Sequence, residues 1–308
     1  MIVVPTEFAR WREHVDGAPG REWAGSLPAL VSGLVARWGL VVESPEPLHG
    51  ALGIVVLVRR DDLPLALKVS WREQTTENEA VALRAWGGRG AMRLFEAAPE
   101  ANALLVERLD HTRTLHTLPI REAGEIAGTL IRTLAVPPPP GLSTLASVYA
   151  VTAGRLPRWQ RELGDPVPRR LLEAAVRHAV ELGPAGEQVL IHADLHYGNI
   201  LAGSREPWSA IDPRPLQGAP EYSVPELMWN RADDLHTDAD IRRHLGRLTG
   251  AGGLDRGAAR GWVIARCVDY WLWGVEKGLT VDPARCERIL GALAPPIVES
   301  GCGPTAAG

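Results

Sequence analysis

The sequence predicts an α+β chain of two lobes, the first strand-rich and the second mainly helical. Three observations carry this. Short runs of Val, Leu and Ile cluster before residue 110, and apolar residues recur at helical spacing after it. Between the later helices lies VLIHADLHYGNILAGSREPWSAIDP (189–213), two apolar segments flanking a polar loop. The lobes are drawn at 1–108 and 109–308, and 308 residues with 45% apolar content suffice for a core in each.

In the first lobe, ALGIVVLVRR (51–60) and LPLALKVS (63–70) read as a β-hairpin turning at Asp61 and Asp62. TTENEAVALRAWGGRG (75–90) sets Ala80, Leu83 and Trp86 at helical spacing, and its glycines stop the helix. AMRLFEAAP (91–99) and NALLVERLD (102–110) read as two further strands. In the second lobe, IREAGEIAGTLIRTLAV (120–136) is an amphipathic helix that PPPPG (137–141) ends, because proline cannot continue the hydrogen-bond ladder. PVPRRLLEAAVRHAVELG (166–183) is another helix, and 224–235, 238–250 and 260–278 complete the helical part. No internal repeat is visible.

The formal charge of −4, with Lys and Arg scattered, argues against a surface that tracks nucleic-acid phosphates. Cys267, Cys286 and Cys302 form no C-x-x-C pair and leave an odd count, which suits a reducing compartment. The first residues, MIVVPTEFARWREH, lack the basic segment and long apolar run of a signal peptide, and no run reaches membrane-spanning length. The expectation is a cytoplasmic protein without a nucleic-acid, membrane or obligate protein partner.

Acids inside an apolar stretch are costly unless they bind something. His192, Asp194 and His196 alternate, which admits a zinc reading, although no further His- or Cys-rich partner stands elsewhere. Taken singly, each residue also has a plainer account, such as an Asp capping a turn or a satisfied core His. The order H-x-D-L-x-x-x-N followed by a strand ending I-D-P matches what phosphoryl transfer from ATP requires. One carboxylate, Asp194, sits beside the acceptor hydroxyl; an amide and a second carboxylate, Asn199 and Asp212, hold Mg2+, which prefers hard oxygen ligands. In the first lobe, Lys68 lies alone among apolar residues of a predicted strand, and Glu79 follows eleven residues later on a predicted helix. Such a pair can hold the α and β phosphates; the alternative is an edge position with the amine in water.

LALKV, TENEAVALRAW, LLVERLD, IHADLHYGNIL and AIDPRPLQGAPEYSVPELMWN resemble the aminoglycoside/hydroxyurea phosphotransferase family, which includes the streptomycin 6-phosphotransferases, over residues 45 to 290. The resemblance implies a bilobal protein-kinase-like fold with ATP between the lobes and transfer of the γ-phosphate to a hydroxyl of a small antibiotic. It matches Lys68 and Glu79 to the phosphate-binding pair, Asp194 to the catalytic base, and Asn199 and Asp212 to the Mg2+ ligands. Glu107 and Leu109 would offer backbone groups to adenine, and His192 would support the loop. Two departures stand out. Arg214 follows Pro213 where the family commonly has Lys, and PLHGALGIVV carries only Gly50 and Gly53, not a full G-x-G-x-x-G.

A polycationic acceptor needs acids in its pocket. Asp233 and Asp234 are candidates, as are Asp269 and Glu276, which share a helical face with Trp273. The plainer account is solvated loop acids and a core aromatic face, while Trp159, Trp208 and Trp229 remain able to stack on a ring. The expected partner is thus a small hydroxylated acceptor, an aminoglycoside or nucleoside antibiotic. The alternatives are a kinase of the same fold acting on an amino alcohol or sugar amine, and a nucleotide-binding protein without catalysis.

Overall fold

The computed structural model describes residues 2–73 and 78–293, so Cys302 and the predicted helix start at 75–77 lie outside the described residues. Six antiparallel strands form the main sheet: β1 (Val41–Val42), β2 (Leu48–His49), β3 (Gly53–Arg60), β4 (Leu63–Ser70), β5 (Leu94–Ala98) and β6 (Ala103–Glu107). Their order is β1-β3-β4-β6-β5, with β2 also paired to β3. The predicted hairpin is β3–β4, in a register that sets Val55 opposite Lys68 and Arg60 opposite Leu63. Asp61 turns it at φ 53°, a conformation Asp tolerates better than most residues.

Side chains alternate across this sheet. Ile54, Val56, Val58, Leu65, Leu67 and Val69 pack on one face against Leu27, Val31 and Leu34 of helix α1 (Thr6–Arg37). The sequence pattern does not predict α1. Pro19 and Pro28 interrupt its pattern, and it kinks at Gly17, whose φ of 65° and ψ of −141° are not helical. The opposite face carries Ala66, Lys68 and Ser70. Helix α2 (Glu79–Trp86) covers part of it and ends at Gly87 in the left-handed region, as the glycines predict.

The remainder is helical: α3 (Ile120–Leu134), α4 (Leu145–Glu162), α5 (Arg169–Leu182), α6 (Val224–Trp229), α7 (Asp238–Gly252), α8 (Arg256–Glu276) and α9 (Val281–Leu293). The sequence pattern does not predict α4 either, its periodicity being broken by Pro157. Helices α3 and α7 approach closely because residue 128 is glycine: a Cβ there would stand 2.5 Å from the Leu248 carbonyl oxygen. Two small sheets frame the polar loop. In one, β8 (Val189–Ile191) pairs with β11 (Leu216–Gly218); in the other, β9 (Ile200–Ala202) lies between β7 (Asp110–Thr114) and β10 (Trp208–Ala210).

One core cluster runs from Trp86 and Met92 through Leu130, Tyr197 and Ile200 to Val263, so the sheet-rich and helical parts share apolar packing. Backbone bonds add to it, from Met92 N to Ala210 O at 2.9 Å and from Ala210 N to Gly90 O at 2.8 Å. Cys267 and Cys286 are buried free thiols. Among the described residues no helix is long and apolar enough to cross a membrane.

Candidate active site

The polar loop begins where β8 ends. His192 is buried; its Nε2 donates to Ile211 O at 2.9 Å, and its Nδ1 accepts from Asp194 N at 3.4 Å. Those two bonds assign the neutral tautomer. Burial lowers the His192 pKa to about 4, which agrees with an acceptor at Nδ1. The ring stacks on Trp86 at 6.0 Å between centroids. Its donor and acceptor are therefore both spent on the loop itself. Among the described residues no group of three or more His, Cys, Asp or Glu is arranged to hold a metal, so the zinc reading finds no support in the geometry.

Ala193 and Asp212 both adopt positive φ, 57° and 56°, the left-handed region that non-glycine residues rarely enter. Such backbone persists only where its surroundings over-determine it. Here the determinants are visible: Arg214 N donates to His192 O at 2.9 Å, and Ile211 N to Asn199 O at 2.9 Å. Asn199 Nδ2 donates to Asp194 O at 2.9 Å, which directs the amide and ties the two residues together. Tyr197 anchors the turn from below, its hydroxyl 2.9 Å from His244 Nε2.

Across the cleft, Lys68 Nζ donates to both oxygens of Glu79 at 2.7 Å and to Asp212 Oδ1 at 2.8 Å. Burial works against the ammonium, yet Asp212 and Glu79 outweigh it and hold the Lys68 pKa above its ordinary value. Burial raises the Glu79 carboxyl, with Lys68 pulling the other way. At Asp212 desolvation is overcome by Lys68, and the carboxyl titrates below its usual range. The structure thus joins four of the predicted residues, Lys68, Glu79, Asn199 and Asp212, with Asp194 at the lip of one cleft of about 290 Å3. The turn from Gly50 to Gly53 covers it. Gly53 is required by close approach, since a Cβ would stand 2.6 Å from Val69 O.

A second cavity, of about 360 Å3, shares Asp194 and Arg214 with the first. Tyr222, Glu226 and Arg266 line its far side. Arg266 donates to both the Tyr222 hydroxyl and Glu226 Oε1, while Glu226 Oε2 is buried with no partner among the described residues. Burial raises the Glu226 pKa against the pull of Arg266. Arg214 Nε reaches Asp194 Oδ2 at 3.1 Å, at the junction of the two cavities.

The acids expected to meet a cationic acceptor lie elsewhere. Asp233 pairs with Arg285, Asp234 with Arg231, and Asp269 with Arg155 at 2.7 Å. Glu276 accepts from Trp159 Nε1 at 3.0 Å. None of the four lines either cavity at Asp194. Glu107 ends β6 and Leu109 stands in the connection to β7, both outside the lining of the cleft. The Glu107 N–H is spent on Arg93 O at 2.8 Å, and its carboxylate binds Arg205 at 2.8 Å. Sequence reasoning passed over Glu226 and Arg266, although each is a lone charge inside an apolar run, VPELMW and WVIARCV, the same signal that singled out Lys68.

Residues 37–278 match the model of the aminoglycoside/hydroxyurea antibiotic resistance kinase family. The chain belongs to that family. This kinase is 39% identical over 292 residues to a hydroxyurea phosphotransferase of Kitasatospora aureofaciens, covering 92% of this chain and 84% of the relative. It is 37% identical over 302 residues to a streptomycin 6-kinase of Streptomyces griseus, covering 96% and 98% of the two chains. Its fold resembles that of the aminoglycoside phosphotransferase APH(4)-Ia, with a TM-score of 0.59 at 15% identity over 87% of this chain and 100% of the other. The kinase-like bilobal fold expected from the sequence is the fold observed. Helix α1 lies almost wholly before the segment matched by the family model.

Proposed function

We propose that this kinase moves the γ-phosphate of ATP to a hydroxyl of a small-molecule antibiotic. The observation that carries the reading is the meeting of two cavities at Asp194, one lined by Lys68, Asn199 and Asp212 and the other by Glu226 and Arg266. A donor on one side and an acceptor on the other would meet at that carboxylate.

Lys68, fixed by Glu79, would hold the α and β phosphates, with the adenine beside the connection at Glu107 and Leu109. The lobe boundary at 108/109 falls in that same connection. Asn199 and Asp212 suit Mg2+, since both offer hard oxygen donors and the Asn199 amide nitrogen is already spent on Asp194 O. The ion would supply charge neutralisation at the phosphates. Asp194 would take or orient the acceptor's proton. Arg214 pairs with that carboxylate, and an incoming hydroxyl would have to share it.

The relatives named for hydroxyurea and streptomycin support an antibiotic acceptor rather than an amino alcohol or sugar amine. Free buried thiols and a need for ATP fit the cytoplasm. The test is ADP release against a panel holding hydroxyurea, streptomycin, nucleoside antibiotics and choline, with the product located by phosphorus NMR. Turnover with at least one antibiotic, lost in Asp194→Asn, is the expected result. Turnover confined to choline would move the protein to metabolite phosphorylation, and ATP binding without turnover would leave a nucleotide-binding module.

A further inference from the structure

Arg12 is a charged side chain that is 1% exposed, on a helix lying before the span of the family match. Burying a guanidinium is costly unless its hydrogen bonds do specific work. Its Nη1 donates to Ala51 O at 3.0 Å, and its Nη2 donates to the Asp16 carboxylate. The guanidinium carbon stands 5.1 Å from the centre of the Trp71 ring. Trp71 N in turn donates to Leu52 O at 2.7 Å, and the Trp71 ring meets Trp23 of α1 edge-on at 5.3 Å. On the other flank of the same turn, His49 Nε2 lies 2.9 Å from Glu7 Oε1, and its ring is 5.6 Å from that of Phe8. Helix α1 therefore grips the 50–53 turn from both sides.

This turn is the one that covers the cleft, and its own sequence does not specify a phosphate-binding shape, having two glycines where a G-x-G-x-x-G would have three. A trans peptide holds its C=O and the following N–H on opposite sides. With the Ala51 carbonyl drawn to Arg12, the Leu52 N–H is turned away from Arg12, in a turn whose residues 50–53 line the cleft. Backbone N–H groups presented in this way are anion donors.

The geometry points to Arg12 as a positioning residue for the nucleotide: it holds the Ala51–Leu52 peptide so that the covering turn presents its N–H to the phosphates. Helix α1 thereby replaces the missing glycine with an external clamp. The inference rests on the ATP reading of the cleft.

The experiment measures binding of ATP and of adenosine, by calorimetry, to wild type, Arg12→Met and Arg12→Lys. Only ATP carries phosphates, so Arg12→Met should weaken ATP about tenfold, in the range expected of a lost charge-assisted bond, and leave adenosine unchanged. Arg12→Lys, which keeps the cation and one donor, should fall between. Equal ATP affinity across the three proteins, or a parallel loss for ATP and adenosine, overturns the proposal and reduces Arg12 to a packing role. If Arg12→Met does not fold, Arg12→Lys and Asp16→Asn carry the comparison, Asp16→Asn freeing the guanidinium from its second partner. Their selective loss of ATP supports the clamp and its absence refutes it. A wild type that binds neither compound refutes the kinase reading itself, a separate outcome.

Discussion

Lys68 and Asp212, 144 positions apart in sequence, are joined by a 2.8 Å hydrogen bond across the cleft, and the same ammonium is held by both oxygens of Glu79. One cation thus serves two carboxylates, and its removal would leave a buried acid without compensation. Lys68→Met should therefore destabilise the protein by about 3–5 kcal/mol in urea denaturation at pH 7. Glu79→Gln should cost clearly less, because the amide oxygen still accepts from Lys68 and the ammonium keeps Asp212 as a charged partner. Equal losses for the two variants would mean that the pair is not buried in the manner described.

Asp194 meets the acceptor and not the nucleotide in the proposed mechanism. Asp194→Asn should reduce kcat by at least about a hundredfold while nucleotide affinity stays within a few-fold. Stopped-flow turnover and nucleotide titration on the same preparation give the comparison. Near-normal turnover would move the proton transfer to another group.

Asp212→Ala should abolish turnover, and wild type stripped with a chelator should recover with Mg2+. Zinc should not substitute, because His192 has committed both ring nitrogens to the loop. Recovery with zinc alone would revive the His192, Asp194 and His196 site.

Two buried histidines make stability depend on pH. Burial lowers the pKa of both His192 and His244 to about 4. Between there and the unfolded value of about 6.5, these two rings bind more protons in the unfolded chain than in the folded one, so their contribution to stability rises with pH, opposite in sense to that of the raised Glu226 carboxyl. The contribution is complete above about pH 6.5 and is lost as pH falls toward 4, by about 3 kcal/mol for each ring. Thermal unfolding of His244→Gln should show a shallower fall in Tm over that window than wild type. An unchanged slope would show that His244 titrates normally.

The two placements of the acceptor are separable by kinetics. Glu226→Gln should raise the acceptor KM, whereas Asp233→Asn and Asp234→Asn should leave it unchanged, since those acids are paired away from the cavity. The reverse pattern would return the acceptor to the 233–234 turn.

Much of this was legible because the chemistry is local. Asp194 and Asn199 are five residues apart in one loop, and a short strand–turn–strand returns the chain to Asp212, so residue types and spacing alone expose the candidate site. Lys68 was visible as a charge among apolar neighbours, and the β3–β4 hairpin followed from two Val- and Leu-rich runs. Helix α1 was not legible: prolines and a non-helical Gly17 erase its periodicity, and only the exposed face of the sheet creates the demand for it.

The sequence by itself determined the two-lobe α+β architecture, the residues proposed for phosphoryl transfer and the family, since these depend on periodicity and on short-range spacing. Tertiary structure alone decided which charges are free. Asp233, Asp269 and Glu276 look as available in sequence as Glu226 does, yet arginines or an indole N–H from other segments occupy them, and Arg231 three positions away takes Asp234, whereas Glu226 keeps one buried oxygen without a partner among the described residues. Pairing depends on which distant side chains the fold brings within about 3 Å, and burial then sets what an unpaired charge costs. Neither quantity is carried by the spacing of residues along the chain.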